Sequence, residues 1–550
     1  MKILVTILTI ASVVSLGLMS EVFVTEATNP IEVMTFNKDI APIFFKQCAA
    51  CHRPGELGPM NLLTYKDVRP WAKAVREAVI TRRMPPWSAD PRYGEFSNER
   101  RLSQKEIDAI VTWVNQGAKE GDPRDLLPQP DFEDKWMIGK PDLVLTMEKE
   151  YELTATGPDE YVTVTLPTNF EEDKWVQAVE VRPSNKKVVH HSAVFVQAPS
   201  PVDNTKLSES RLSRKSESIF YSDGSLRRVK MDAPVFDDGC TAPNGGVAAG
   251  SGSAGLGMVI GSFAPGKEAE SWPADSARLV PAGSKLIYQV HYAATGQAEK
   301  DRSSIGIIFA KQPPEKAVIE LGAQNMYFKI PAAKPNHEVK ACYTFNRDVL
   351  VLAFLPHMHW RGKNMKYEAF YPNGTRDTLL YVTNYNFNWE DLYKLKKPLF
   401  IPEGTKIVVT AQFDNSEKNK YNPDPTKDVR WGDPSYDEMM VGGFDFISAA
   451  PGRASSKVDE KLRNSYSGEY QEASGSKFNV TKVDGGLNMS AFGMTCHLIP
   501  ESDSNFVLVE ADALITFVKD QEGKVNELVI HHNGRTLRAK KLSSGNSAVR

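Results

Sequence analysis

The sequence predicts a multidomain chain: a small all-α domain, then two antiparallel β-sandwiches, then a small β-rich C-terminal domain. Three observations carry that expectation. The 550 residues fill about three to five units of ordinary domain size. Helical apolar spacing is confined to the stretch before residue 127. From about residue 140 onward, short apolar runs alternate with turn residues, the pattern of many short strands.

At the N-terminal end, Met1-Lys2 precedes an apolar run from Ile3 to Met19, with small residues around Ser20 and Ala27-Thr28. Residues 1–28 read as a secretory signal peptide, which implies a periplasmic or secreted protein. Left uncleaved, that run is near the shortest that spans a bilayer and would tether the chain to a membrane. The remainder has an ordinary soluble balance, with 41% hydrophobic and 25% charged residues. A net charge of −3 gives no reason to expect a nucleic-acid partner.

Residues 30–127 form the helical unit. A short helix from Asn37 to Phe45 and a second from Val68 to Val79 have helical spacing. Ser103 to Gly117 is a third: Ser103 caps it, Glu106 sits three residues on, and Gly117 ends it. The Pro-rich stretch Asp122 to Pro130 is a linker.

Leu143-Val144-Leu145, Val162-Thr163-Val164, Val176 to Val181 and Ser192 to Val196 open the β-rich region. Its length needs about two sandwiches, placed at 140–310 and 311–452. Gly239 to Gly261, rich in Gly, Ala and Ser, reads as a surface loop. Pro451 to Arg463 reads as a second linker, and 464–545 as the last β-rich unit.

The helical unit contains Cys48-Ala49-Ala50-Cys51-His52. Two thiols two residues apart, followed at once by His, are the device that attaches haem c covalently. Cys48 and Cys51 each add across a vinyl group, and His52 becomes the proximal iron ligand. The second axial ligand is expected from Met84, in Arg82-Arg83-Met84-Pro85-Pro86-Trp87, with Met60 as the other candidate. The region resembles small class I cytochrome c domains, where a Met in a Pro-containing loop is the usual ligand.

The chain has only ten His, so their placement is informative. His190-His191, His291 and His357-Met358-His359 all lie in strand-like segments. On a strand, His357 and His359 share a face, whereas His190 and His191 need a bulge or strand end to share a metal. With Asp437-Glu438-Met439, the set resembles the copper type II, ascorbate-dependent monooxygenases, a family that includes peptidylglycine α-hydroxylating monooxygenase and dopamine β-hydroxylase. The resemblance covers roughly residues 140–450.

It implies two jelly-roll-like sandwiches with one copper on each, facing a solvent cleft. His190, His191 and His291 would hold the electron-storing copper. His357, His359 and Met439 would hold the one where O2 and substrate meet, soft sulfur favouring Cu(I). Met440 is read as packing. The implied activity is an oxidoreductase: one oxygen atom of O2 enters a substrate C–H bond and the other becomes water. The partners are O2, an organic substrate and a small-molecule or protein electron donor, with the haem relaying electrons to copper. The alternative is a periplasmic haem and copper electron-transfer protein without hydroxylation.

Two departures bear on the substrate. Peptide-amidating members carry an Arg where this chain has Leu355, and a Tyr where it has Gly443. A neutral or apolar substrate is therefore expected.

Three further thiols, Cys240, Cys342 and Cys496, allow at most one disulfide among themselves. Cys240 and Cys342 both fall within the sandwiches, which weakly favours that pair. His531-His532 imitates a metal pair but precedes the turn signal Asn533-Gly534, so it reads as structural. His497 lacks evident co-ligands, and His337 reads as an exposed loop residue.

Overall fold

The computed structural model describes residues 33–130, 136–157, 159–199, 218–220, 226–228, 235–240, 258–432, 435–451, 454, 456–483, 485–491 and 494–542. The expected signal segment, 1–28, lies outside them. Among the described residues, no helix is long and apolar enough to cross a membrane. The chain is multidomain and β-rich, with its helices concentrated before the first sheet.

The helical stretch holds Ala41–Gln47, Tyr65–Val68, Ala72–Ile80 and Gln104–Asn115. The last starts as its sequence demands. The Ser103 side chain accepts from the Glu106 N–H, and the Glu106 carboxylate accepts from the Ser103 N–H. The helices share a core of Phe36, Phe44, Ile110 and Trp113. The cap and the apolar face together explain why this helix was legible from its sequence.

Each sandwich is two sheets around one core. In the first, strands Leu143–Thr146, Ser304–Phe309, Lys174–Arg182 and Ser276–Val280 make one sheet. Glu160–Pro167, Lys285–Tyr292, Val189–Gln197 and Met258–Phe263 make the other. Val179, Val181 and Ile305 of one sheet meet Val194, Leu286 and Val290 of the other. Lys316–Ala317 still pairs with Ser276–Val280, so the first sandwich runs a few residues past 310.

The second sandwich sets Ile319–Gln324, Val441–Ser448, Val349–His357 and Tyr393–Ile401 against His337–Thr344, Lys406–Phe413, Gly362–Phe370 and Arg376–Val382. Its core also includes Trp87, Ala89 and Phe96 from the helical stretch. The main chain there pairs with sandwich strands: Asp90 N–H donates to Tyr381 O at 2.7 Å, and Ser97 N–H to Lys394 O at 2.8 Å. Burying the Trp87 and Phe96 rings against Tyr393 draws this segment out of the helical unit. Residues 30–127 are therefore not one self-contained body.

Three further expectations change. Met258–Phe263 is a strand, so the Gly-rich loop ends before it, and residues 241–257 lie outside the described residues. Glu460–Tyr466 is a helix capped by Asp459, so the second linker is shorter than Pro451 to Arg463. His337 begins a strand, and its Nε2 lies 3.3 Å from Asp237 Oδ1. Cys240 and Cys342 are disulfide-bonded, and Cys496 is free and buried.

The last unit is a closed eight-stranded barrel, sealed where Gly468–Glu472 pairs with Arg535–Lys541. Asn533-Gly534 makes the expected two-residue hairpin, with φ of 47° and 70°. That turn docks on the second sandwich: Asn533 Oδ1 accepts from Thr344 N–H at 2.8 Å. Its role accounts for His531-His532 without a metal.

The sandwiches are pinned to each other by one buried cation. Arg278, 2% exposed, bonds Glu320 at 2.8 Å and Asp445 at 2.6 Å across the junction and stacks on Trp272. Arg278→Ala leaves two carboxylates buried without it, and is expected to lower stability by about 3–5 kcal/mol. The check is the urea unfolding midpoint. Lys300→Ala, at an exposed ion pair with Glu152, is expected to leave that midpoint in place.

Candidate functional site

Strand Val189–Gln197 runs antiparallel to Lys285–Tyr292 with one irregularity. His191 sits opposite His291, Val189 sits opposite Tyr292, and His190 is the extra residue between them. This is the bulge that an adjacent His pair requires, and it turns both rings to one side. The Nδ1 atoms of His190 and His191 are 3.1 Å apart, and those of His191 and His291 are 3.4 Å apart. Ligand atoms of all three rings lie within 4.8 Å of one another. The outward nitrogens are held: His190 Nε2 by Asn388 Oδ1 at 2.7 Å, and His291 Nε2 by Asp159 Oδ2 at 2.8 Å. Metal-binding imidazoles are characteristically fixed in this way through the ring nitrogen that does not ligate.

The second set is built differently. Its strand ends at His357, so His359 lies beyond it rather than two places along the same face. The turn is held by Glu438, whose carboxylate accepts from the His359 N–H at 2.8 Å and the Arg361 N–H at 2.6 Å. Tyr385 adds a hydroxyl that accepts from Met358 N–H at 3.0 Å and donates to Met358 O at 2.6 Å. The two rings end 5.2 Å apart and nearly perpendicular. His357 Nδ1 meets Glu390 Oε1 at 2.6 Å, and His359 Nδ1 lies 3.3 Å from Asp437 O, which leaves both Nε2 atoms to ligate. Met439 is buried next to Glu438, and Met440 belongs to the apolar core.

The run Asn386-Phe387-Asn388-Trp389-Glu390-Asp391 enters between the two sets. The Phe387 ring lies 5.2, 5.1 and 6.3 Å from the rings of His190, His191 and His291. It also lies 6.4 and 5.4 Å from those of His357 and His359. Glu390 spans the sets: while Oε1 holds His357, Oε2 is 4.0 Å from His191 Nδ1. The two sets thus face each other across one side chain and one carboxylate.

Burial keeps His190 and His191 below the usual imidazole range and pushes His359 down to about 3. All three are neutral at pH 7, the form that binds metal. Burial opposes charge on Glu390 and His357 as well, but there their mutual attraction wins. Glu390 is held below the carboxylate range and His357 above the imidazole range.

In the helical stretch, His52 Nδ1 lies 3.2 Å from Met60 O, so Nε2 is the nitrogen left for an axial bond. Gly58 is packed so closely that a methyl there would lie 2.5 Å from the His52 ring. Burial pushes Cys48 up to about 12 and raises Cys51. A redox dithiol needs the opposite shift. Met60 therefore flanks His52 through its carbonyl. Met84 follows the helix Ala72–Ile80, its N–H donating to Ala78 O at 3.2 Å. Arg100 ties Met84's loop to the haem motif's surroundings, bonding Pro86 O, Gly266 O and Asp391.

Leu355 and Gly443, the two departures noted in the sequence, are paired on adjacent strands. A methyl on Gly443 would lie 3.2 Å from Leu355 Cβ. The two positions form one packed unit two residues from His357 along the strand. His497 contacts Glu510 and Asp173 and has no further His or Cys partner among the described residues.

Sequence reasoning missed Asp159, Phe387, Asn388, Glu390, Gly58 and Arg100. Glu438, by contrast, is marked in the sequence by its place in Asp437-Glu438-Met439. The others sit in loops, where no periodicity marks them.

Fold and site together define a β-rich multidomain protein whose two sandwiches meet at a histidine cluster with the donor set of a metal centre. No family model and no curated protein matches the chain. Among solved structures, PNGF-II matches at 9% identity and a TM-score of 0.25, over 56% of this chain and 65% of that one. The match thus spans less than two thirds of that chain. The infectious bursal disease virus Gx strain matches at 11% identity and a TM-score of 0.15, over 55% of this chain and 69% of that one. Scores this low carry no inference.

Glu390→Gln is expected to lower any affinity of the His sets for a divalent metal ion by roughly 10–100-fold, the range for groups that orient a ligand. Competition titration against a chromophoric chelator reads it. Unchanged affinity would show that the carboxylate takes no part.

Proposed function

We propose that this chain is an exported oxidoreductase, a monooxygenase with one covalent haem c and two copper ions, that hydroxylates a C–H bond of a neutral or apolar organic molecule. The observation that carries the reading is the convergence of the His190, His191 and His291 rings within one metal's reach, with the His357 and His359 rings across Phe387. The reading also draws on the resemblance stated above. A disulfide between Cys240 and Cys342 is consistent with an oxidising compartment.

The residues present suit both groups. His190, His191 and His291 would hold one copper through Nδ1; His357, His359 and Met439 would hold the other. Copper supplies one-electron redox chemistry and an affinity for O2, and thioether sulfur favours its reduced state. Cys48 and Cys51 would carry the haem on a small all-α cytochrome c unit, and His52 and Met84 would ligate its iron. Haem c supplies a one-electron store whose potential a thioether raises.

The chain's own residues prepare the reaction. Asn388, Asp159 and Glu390 fix ring orientation before any metal arrives. Phe387 keeps the space between the sets apolar. Leu355 and Val441, paired with Gly443 and His357, present an apolar surface next to the second set with no side-chain charge to hold a carboxylate. Hydroxylation consumes one O2, two electrons and two protons per substrate, and yields the alcohol and water. The two electrons would come from an external small-molecule or protein donor, and a haem held at Cys48, Cys51 and His52 would supply one-electron chemistry between that donor and the His sets.

The test is the copper-to-haem ratio of full-length protein matured in an export-competent host. About two coppers per haem are expected, one bound by each His set. His190→Ala and Met439→Ala should each weaken a different copper. Copper near zero after reconstitution would overturn the reading. Two coppers with no substrate-dependent O2 uptake would leave an electron-transfer protein.

A further inference from the structure

Gly266 lies where three parts of the molecule meet. A methyl built on it would lie 3.7 Å from Cys51 Sγ, 3.7 Å from the Trp389 ring and 3.1 Å from the Arg100 guanidinium. Its φ of +72° is one that residues with a side chain rarely adopt. Cys51 Sγ and the Trp389 ring each lie 3.7 Å from that methyl position, so both border the bare backbone of Gly266.

The same place is clamped. Arg100 donates to Gly266 O in the first sandwich and to Asp391 in the second. Lys186, also of the first sandwich, pairs with Glu56, four residues after His52, at 2.7 Å. The backbone pairing of residues 90 and 97 with the second sandwich fixes the unit from another side. The approach is a built junction of the fold.

From Trp389 the chain needs one residue to reach the first His set. Asn388 is covalently next, and its Oδ1 accepts from His190 Nε2 at 2.7 Å. His190 Nδ1 is one of the three converging atoms.

We propose that Trp389 and Asn388 are the electron path from the haem motif to the three-histidine site, running Cys51, Trp389, Asn388, His190. This rests on the function proposed above. With both groups bound, one electron would pass from ferrous haem, leaving it ferric, to Cu(II) at the His190 site, giving Cu(I). No proton or further reactant is needed. Trp389 is a positioning and conducting residue, since it touches neither reacting substrate nor the ligating atoms. The indole supplies a polarisable bridge where an aliphatic group would leave a saturated gap.

The experiment uses the full-length protein carrying haem and copper. Haem is reduced anaerobically, and its reoxidation is followed by absorbance while freeze-quenched samples report loss of the Cu(II) EPR signal. Trp389→Leu keeps apolar bulk and removes the ring. It is expected to slow the transfer by roughly 10–100-fold, the range that outer partners of a metal site command. Trp389→Phe should keep most of the rate. Copper content and haem spectrum should match the parent protein in both. Transfer in Trp389→Leu at the parent rate, with copper and haem intact, would overturn the path and leave the two-copper reading standing. A parent protein whose haem never reduces copper would overturn the path and the relay together. If Trp389→Leu does not fold, Trp389→Met, which also lacks a ring, takes its place: slowing with copper and haem intact supports the path, and the parent rate refutes it.

Discussion

A buried carboxylate must be answered by positive charge or by donors, and Glu390 is answered from two sides at once. Its oxygens face His357 and His191, which belong to different sandwiches. Among the described residues, no lysine or arginine pairs with it. Glu390 holds His357 directly and, 4.0 Å from His191, links His357 to the first set. Its position in turn depends on the sandwiches staying in register, which Arg278 secures from within the same interface. The resemblance implied coppers on two sandwiches facing an open cleft. Here a phenyl ring and a carboxylate stand between the two sets.

The second constraint is how the haem motif is carried. A cytochrome-like unit on a free linker would deliver electrons by diffusion within its tether. Here the segment from Trp87 to Phe96 is part of the second sandwich's core, and backbone hydrogen bonds hold it there. Cys51 is thereby held at a defined place beside Gly266 and Trp389. Six consecutive residues, Asn386 to Asp391, then touch the Arg100 clamp, the haem motif's surroundings and both His sets. Placement of this kind holds Cys51, Gly266 and Trp389 in a fixed relation to one another.

Much of this was legible in the sequence, for reasons that differ by element. The helix Gln104–Asn115 was readable because its cap, face and terminator all agree. The His-His bulge was readable because strand parity forbids two neighbours on one face without it. The hairpin at Asn533-Gly534 follows from two residues that tolerate positive φ. The helix Glu460–Tyr466 was lost because seven residues in a polar stretch look like a linker. The insertion of Trp87 and Phe96 into a distant core was lost because tertiary burial leaves no local signature. Glu390 and Asn388 were lost for the same reason: a loop residue's value lies in what it reaches.

The central claim is that two metal sites face each other across Phe387 and Glu390. The most direct measurement is an anomalous difference map at the copper edge from crystals of the copper-loaded protein. The account predicts two peaks. One lies against the Nδ1 atoms of His190, His191 and His291, and the other against His357, His359 and Met439, with Glu390 between them. A single peak, or peaks away from these side chains, would contradict it.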